Sequence, residues 1–309
     1  MSDTALDSVT LEEPAVAARP RGSLGAVLAA LFEDRLAVAG FVLVILTAFA
    51  AFAAPWISPT NPYDLAGLDI LDGGLAPGAQ SLSGKTFWLG TDEQGRDMLS
   101  AILYGLRISL YVAGAATLIA LVIGMAAGIS AAYFGRFTDA IIMRVVDLQL
   151  GFPSILIALI LLAVLGRGVD KVIMALVLSQ WAYYARVVRA SAMVENQKDY
   201  ITAARCLALS HRRIMIRHLL PNCLPPLIVV ATVQIAHAIA LEATLSFLGV
   251  GVPITEPSLG LLIANGYDFL LSGRYWVSVF PGVALVLIIV GVNLVGDRLR
   301  DVLNPRLQR

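Results

Sequence analysis

Few side chains in this 309-residue sequence are of the types that perform catalysis or bind metals. The three histidines, His211, His218 and His237, have no paired spacing typical of metal ligands. The two cysteines, Cys206 and Cys223, form no CxxC pattern, so neither a disulfide nor a zinc site is predicted. Because no cluster of nucleophile, base or metal ligands is present, the sequence does not favour an enzyme.

One short motif, Gly84-Lys85-Thr86, suggests phosphate binding. A phosphate-binding loop needs a further glycine five positions before the Gly-Lys pair, so that backbone N–H groups can surround the phosphate. That position is Ala79, and no strand pattern precedes it. We therefore predict that this chain binds no ATP.

Three ionisable residues, Arg144, Asp147 and Glu242, lie within otherwise apolar stretches, where charge is costly and suggests function. Arg144 and Asp147 share a helix face, which favours an ion pair that anchors the helix over a functional role. For Glu242, a hydrogen bond to a neighbouring helix is favoured over exposure to a polar cavity. The Gly151-Phe152-Pro153 sequence interrupts its helix, either as a gating kink or to accommodate packing.

The longest polar interruption of the apolar two-thirds of the chain spans 195–222 and is basic. Asp199 is predicted to cap a short helix that reaches Ala208, and Ser210 to cap a second helix that stops before Pro221. Ile201, Ala204 and Ala208 fall near one helix face, where small side chains would let another surface approach closely. Charge alone allows two roles, a docking element or a cytoplasmic loop on anionic headgroups.

These residues must be positioned by membrane-spanning helices. The chain is 58% hydrophobic and only 14% charged, with a mean hydropathy of +0.81, which predicts an all-α polytopic membrane protein. Six segments are apolar enough to span about 30 Å of hydrocarbon. The predicted spans are 36–57, 108–133, 140–165, 171–190, 223–250 and 276–296. Gly124 and Gly128 form a GxxxG pair that favours close helix packing.

The distribution of lysine and arginine predicts the orientation. With both termini in the cytosol, sixteen of the 22 basic residues lie inside and six outside. The inner set is Arg19, Arg21, Arg35, Arg136, Arg144, Arg186, Arg189, Lys198, Arg205, Arg212, Arg213, Arg217, Arg298, Arg300, Arg306 and Arg309. The expected organisation is a cytoplasmic tail over 1–35, an extracytoplasmic loop over 58–106, a core over 107–298 that contains the cytoplasmic loop 195–222, and a cytoplasmic tail over 299–309.

The segment DYITAARCLALSHRRIMIRHLLPN resembles the EAA loop of bacterial ABC importer permeases. It departs at Ala208, where the family usually has glycine, and at Thr202, where an acidic residue is common. Since alanine favours helix over glycine by about 1 kcal/mol, we expect a stiffer turn there. Further motifs resemble the second permease subunit of dipeptide, oligopeptide and nickel importers. They are Gly90-Thr91-Asp92, Gly95-Arg96-Asp97, Arg144 with Asp147, Gly151-Phe152-Pro153, Glu242 to Gly249, Gly296 to Asp301 and, with a departure at Asn304, Asn304-Pro305-Arg306.

This resemblance implies a type I ABC importer permease fold in the bacterial inner membrane. It implies a paralogous permease, two ATPase subunits and an extracytoplasmic solute-binding protein as partners, with ATP and Mg²⁺ used by the ATPases and no cofactor bound by this chain. Peptides are the expected cargo, and nickel, glutathione, haem and opine-like solutes are alternatives. The alternative function from a different class of protein is an ion-gradient-driven secondary transporter. The residues expected to couple to the ATPases are Asp199, Tyr200, Ala203, Ala204, Arg205, Ala208, Leu209 and Ser210. The candidate pore or gate residues are Arg144, Asp147, Phe152, Pro153 and Glu242.

Overall fold

The computed structural model describes residues 32–64, 69–81 and 84–303, and within them the regular structure is helical. Extended segments meet there only as isolated bridges, Gln80 with Thr86 and Thr91 with Asp97. The longer helices are α1 Arg35–Phe52, α2 Met98–Phe134, α3 Arg136–Leu150, α4 Ser154–Leu165, α5 Val169–Asn196, α6 Asp199–Cys206, α7 His211–Phe247, α8 Leu259–Tyr267 and α9 Trp276–Leu303. Single helical turns occur at Ala54–Ile57, Ile70–Asp72 and Leu270–Ser272.

Four of the described helices, α1, α2, α7 and α9, are long and apolar enough to cross a membrane. The pair α3 and α4 together would provide a fifth crossing, although the two helices are bent by 91° at the break between them. Helix α5 has the length of a span but carries charged residues, among them Arg186 and Arg189. The prediction of a mostly helical membrane protein is confirmed.

The second predicted span starts earlier than expected, because α2 begins at Met98. Asp97 caps it, with its Oδ2 atom accepting from the Ser100 N–H at 2.9 Å and from the Ser100 hydroxyl at 2.5 Å. The helix continues past residue 107, where the core was predicted to begin, and the Arg107 side chain is exposed. The loop predicted over 58–106 therefore ends at Asp97.

The span predicted over 140–165 consists of two helices, α3 and α4, which meet at a sharp corner where Gly151-Phe152-Pro153 was predicted to interrupt the helix. Proline disfavours helical geometry in the residue before it, so Phe152 leaves the helix and Pro153, with ψ of 129°, precedes the first residue of α4. The Phe152 side chain is 63% exposed at this corner.

The remaining helix ends move by a few residues. Helix α1 stops at Phe52, and the predicted spans 171–190 and 223–250 become α5 and the Leu220–Phe247 part of α7. Helix α9 runs to Leu303, so part of the predicted 299–309 tail is helical. The Asn304-Pro305-Arg306 motif and most of the predicted 1–35 tail lie outside the described residues.

Helices α2 and α5 pack with their backbones in contact. A Cβ atom at Gly124 would lie 2.5 Å from the Trp181 carbonyl oxygen and from Tyr184 Cβ, and one at Gly128 would lie 2.5 Å from the Ala185 carbonyl oxygen. Only glycine fits at these positions, which confirms the close packing predicted from the GxxxG pair. Buried side chains form one core among α2, α4, α5 and α7, and a second among α1, α2, α7, α8 and α9.

Candidate functional site

Helix α6 is the short helix predicted in the basic segment. It begins at Asp199 itself, with Lys198 in the capping position and no side-chain cap, so the prediction that Asp199 is the cap was wrong. As an acid in the first turn, Asp199 still interacts favourably with the free N–H groups there. The second predicted cap is confirmed, because the Ser210 hydroxyl accepts from the Arg213 N–H at 3.4 Å.

The face predicted to contain Ile201, Ala204 and Ala208 is divided in the structure. Ile201 and Ala204 are buried, at 0% and 4% exposure, against the core of the chain itself. Ala203 and Ala208 are exposed. The small side chains available to another surface are therefore Ala203 and Ala208, and Ala204 packs within the chain.

Ala208 ends α6 in a left-handed conformation, with φ of 50°. The Leu209 N–H donates to the Ala204 carbonyl at 3.2 Å, and the Ala208 N–H donates to the Arg205 carbonyl at 2.9 Å. This pair of bonds is the Schellman motif, whose left-handed residue is usually glycine. The helix thus ends before Ala208 although alanine has a high helix propensity. The stiffer turn predicted from that propensity therefore does not apply, because Ala208 is not in a helical conformation.

Tyr200 joins α6 to the helices on either side. Its hydroxyl donates to Glu195 Oε2 of α5 at 2.7 Å and accepts from Asn222 Nδ2 of α7 at 3.0 Å. Lys198 adds an ion pair to Glu195 at 2.5 Å. Partial burial and the hydrogen bond to Glu195 raise the pKa of Tyr200 to about 12, so the hydroxyl remains a donor at neutral pH.

Arg205 joins α6 to the end of α2. Its guanidinium lies 5.3 Å from the centre of the Tyr133 ring and donates to Asn196 Oδ1 at 2.5 Å. Asn196 in turn donates to the Ala132 carbonyl at 3.2 Å, and the Tyr133 hydroxyl is 2.7 Å from His211 Nδ1. Helix α6 is therefore bonded to α2, α5 and α7.

The helix predicted to stop before Pro221 continues through it to Phe247, so that prediction was wrong. Residues Met215–Leu219 form a π-helical stretch that is separated from the proline by Leu220 alone. In this stretch, backbone hydrogen bonds from i to i+5 replace the usual bonds from i to i+4, and the helix continues through Pro221 and then through Pro225 and Pro226.

The ion pair expected between Arg144 and Asp147 is not formed. Asp147 pairs with Arg186 of α5, and Arg144 is exposed without an ion pair among the described residues. A second pair links α3 to α5, where Asp139 accepts from two nitrogens of Arg189, with Nη2 at 2.6 Å. The two arginines in the middle of α5 are thus paired with acids on α3.

Glu242 is fully buried between helices. It accepts from the Ser109 hydroxyl of α2 at 2.7 Å and from the Ser246 hydroxyl at 2.8 Å. The favoured interpretation, a hydrogen bond to a neighbouring helix, is confirmed. His237 lies elsewhere on α7, and the described residues contain no group of three or more potential metal ligands.

Several hydrogen-bond and ion-pair partners of these residues were not predicted, because they lie far away along the chain. Tyr133 precedes His211 by 78 residues, and Asp139 precedes Arg189 by 50. The available signal was charge: two acids on α3 pair with two arginines on α5 in reversed order along the chain, as antiparallel helices require.

Comparison with known proteins places this geometry in a family. Residues 120–309 match the binding-protein-dependent transport system inner membrane component, and residues 24–77 match the N-terminal transmembrane domain of oligopeptide transport permease C. A relative from Brucella suis, assigned by its name to a peptide transport system, is 41% identical over 269 residues, 87% of each chain. The dipeptide transport system permease protein DppC of Escherichia coli K12 is 40% identical over 278 residues, 90% of this chain and 91% of that one. The di/tripeptide transport system permease protein of Pseudomonas aeruginosa is 36% identical over 277 residues, 89% and 90% of the two chains.

Among solved structures, the inward-facing MetNI methionine ABC transporter is similar in fold. The TM-score is 0.53 at 22% identity, over 66% of this chain and 97% of that one. The molecule is thus an integral membrane permease with the type I ABC importer fold. It belongs to the family of binding-protein-dependent transport system inner membrane components, and so is a multi-pass inner-membrane protein that operates with ATPase subunits and a paired permease.

Proposed function

We propose that this chain imports di- or oligopeptides, as one of two permease subunits that receive cargo from an extracytoplasmic solute-binding protein. The names of three relatives, each at least 36% identical over most of the chain, support peptides as the cargo. The chain itself is non-catalytic and binds no cofactor, and the ATP and Mg²⁺ are used by two partner ATPase subunits.

We propose six spans, with both termini in the cytosol. They are α1, α2, the bent pair of α3 and α4, α5, α7 and α9. The sixteen-to-six distribution of basic residues supports this topology. The pairing of Arg186 with Asp147 and of Arg189 with Asp139 supports α5 as a span, because the cost of its charges is reduced by partners on α3.

The proposed coupling element is α6 with the turn that follows it, including Asp199, Tyr200, Ala203, Ala204, Arg205, Ala208, Leu209 and Ser210. The observation that carries this proposal is the bonding of α6 to three other helices while one of its faces stays exposed. A surface that seats against that face can move α6, and the bonds to α2, α5 and α7 would convey the movement into the membrane. Within this element Ala203 would contact the ATPase, and Ala204 would hold α6 to its own chain.

For the translocation pathway we propose the exposed residues at the α3–α4 corner. Arg144, Asp147 and Phe152 are exposed in this chain, and Pro153 sets the corner. Glu242 has a different proposed role, since its carboxylate is occupied by two hydroxyls and supports the packing of α2 against α7.

A pair of matched variants tests the coupling assignment. Ala203→Glu places a carboxylate on the exposed face of α6, and should abolish ATP-driven uptake and the copurification of the ATPase while the chain still inserts. Thr202→Glu adds the same group at the neighbouring exposed position, where the family commonly has an acid, and should retain uptake. Equal uptake by wild type and Ala203→Glu would refute the coupling role of this face.

The cargo is tested by uptake of radiolabelled dialanine into cells that lack other peptide importers. Uptake should require this chain together with its genetically adjacent ATPases and binding protein. A complete complex that hydrolyses ATP but moves no dipeptide or oligopeptide would refute peptide cargo, and would leave the family unchanged.

A further inference from the structure

A cavity of about 440 Å³ lies where α7 ends and α9 begins. Its walls come from the turn 92–96, from the segment after α7 and from α8. In the topology proposed above, this end of the bundle faces the extracytoplasmic side. The volume is within the range of about 300–1,000 Å³ that small-molecule sites occupy.

A buried cation lines this cavity. Arg96 is only 4% exposed, and its Nε atom donates to Asp92 Oδ2 at 2.6 Å. The other oxygen of Asp92 accepts the Gln94 and Arg96 N–H groups, each at 2.9 Å. Both oxygens of Asp92 therefore accept hydrogen bonds, and the hydrogen bond described for the Arg96 side chain involves Nε and leaves the two terminal nitrogens for another acceptor.

The rim carries charge of both signs. Arg167 and Asp268 line the cavity and are exposed, and neither has an ion-pair partner in the described part of the chain. Glu93 also lines the cavity and lies 3.9 Å from Arg274. A ligand in this space would therefore meet the Arg96 guanidinium, which is bonded to Asp92 through Nε, together with the Arg167 guanidinium and the Asp268 carboxylate at the rim.

The remaining surface is suited to an amphipathic solute. Ile254, Leu261 and Phe269 contribute apolar wall. Ser246 also lines the cavity, and its hydroxyl donates to the buried Glu242 at 2.8 Å, which holds it in place. The cavity thus combines fixed polar groups with apolar wall, as specific binding sites do.

We propose that this cavity binds a small zwitterionic peptide before it enters the membrane. Arg96 and Arg167 bind the peptide carboxylate, Asp268 binds its α-amino group, and the apolar wall accepts its side chains. Guanidinium groups suit carboxylates because they offer several donors in one plane. This inference rests on the proposed peptide cargo and on the proposed topology.

The test is protection of a reporter thiol in the complete complex, held in lipid nanodiscs without ATP. Asn265→Cys places the thiol in the cavity, and Ser272→Cys is a matched control on an exposed turn outside it. Both are made in a Cys206→Ser background, since Cys206 is exposed and Cys223 is buried. The probes are dialanine and acetyl-dialanine-amide, a capped analogue without charges.

Dialanine at about twice its Kd for this cavity should slow labelling of Asn265→Cys by about threefold. The labelling rate falls by a factor of one plus the ratio of the dialanine concentration to that Kd. The control thiol should be labelled at an unchanged rate, and the capped analogue should not protect. Adding Arg167→Gln or Asp268→Asn should remove most of the protection, whereas Lys85→Gln, an exposed charge elsewhere on the same side, should leave it intact.

Two results would overturn the inference in distinguishable ways. If dialanine gives no protection although the wild-type complex imports it, the cavity is not a peptide site and the proposed cargo stands. If Arg167→Gln weakens attachment of the solute-binding protein and leaves protection unchanged, the rim is a protein-docking surface instead. Failure of the wild-type complex to import any peptide would remove the proposed cargo and this inference with it.

Discussion

Replacing Ala208 by glycine should strengthen the turn that ends α6. Alanine in the left-handed region is disfavoured by about 1–2 kcal/mol, and glycine is free of that cost. Glycine loses about 0.5–1 kcal/mol more conformational entropy on ordering, which offsets part of the gain. The net stabilisation of the turn is about 1 kcal/mol, equivalent to a roughly fivefold decrease in local opening.

Hydrogen exchange measured by mass spectrometry on a peptide covering 199–215 detects this change directly. The Leu209 and Ala208 amides report it, because both donate in the turn. Ala203→Gly is the matched control, since the same substitution inside α6 should cost about 1 kcal/mol and accelerate exchange. The two variants should thus shift exchange in opposite directions. Faster exchange in both would refute the left-handed assignment of Ala208 and the cost attached to it.

Three other substitutions test the packing and the polar contacts. Gly128→Leu should force α2 and α5 apart and destabilise the purified complex by about 1–3 kcal/mol in thermal melting, whereas Gly114→Leu, with open space around it, should change little. Glu242→Ala should cost about 1–3 kcal/mol because it leaves two buried serine hydroxyls unpaired, and Glu242→Gln should cost less. Tyr200→Phe should accelerate exchange in α6 and reduce uptake at unchanged expression. Since its raised pKa is about 12, the contribution of the Tyr200 hydroxyl is complete below about pH 10 and is lost only as the pH rises through about 12, so the effect should be constant between about pH 6 and 9.

Local signals in the sequence predicted those features that depend on neighbouring residues. Ser210 is a cap because it precedes a helix, and Gly124 and Gly128 pack closely because their spacing places them on one face. The helix corner at Phe152 was recognised as an interruption, but its 91° angle depends on what α3 and α4 pack against.

Features set by tertiary partners were not predictable. Arg144 was the predicted partner of Asp147, because it lies three residues away on the same helix. The partner in the structure is Arg186, and the sequence alone does not show that α5 brings it there. Ala204 and Ala203 are identical in type, so their opposite exposure is decided by the core beneath α6. The helix continues through Pro221, which follows the π-helical stretch, and also through Pro225 and Pro226, so a proline alone did not mark the end of this helix.

The π-helical stretch Met215–Leu219 also sets how far the cytoplasmic end of α7 is rotated relative to the membrane part of the same helix. A π turn accommodates one residue more than an α turn, and one residue corresponds to about 100° of rotation around a helix axis. The basic residues Arg212 and Arg213 are therefore out of phase with the membrane part of α7 by about that angle. Deleting one residue within this stretch would restore α geometry and keep Arg212 and Arg213 at nearly their present angle, whereas deleting one residue elsewhere in α7 would rotate them by about 100° relative to the rest of the span.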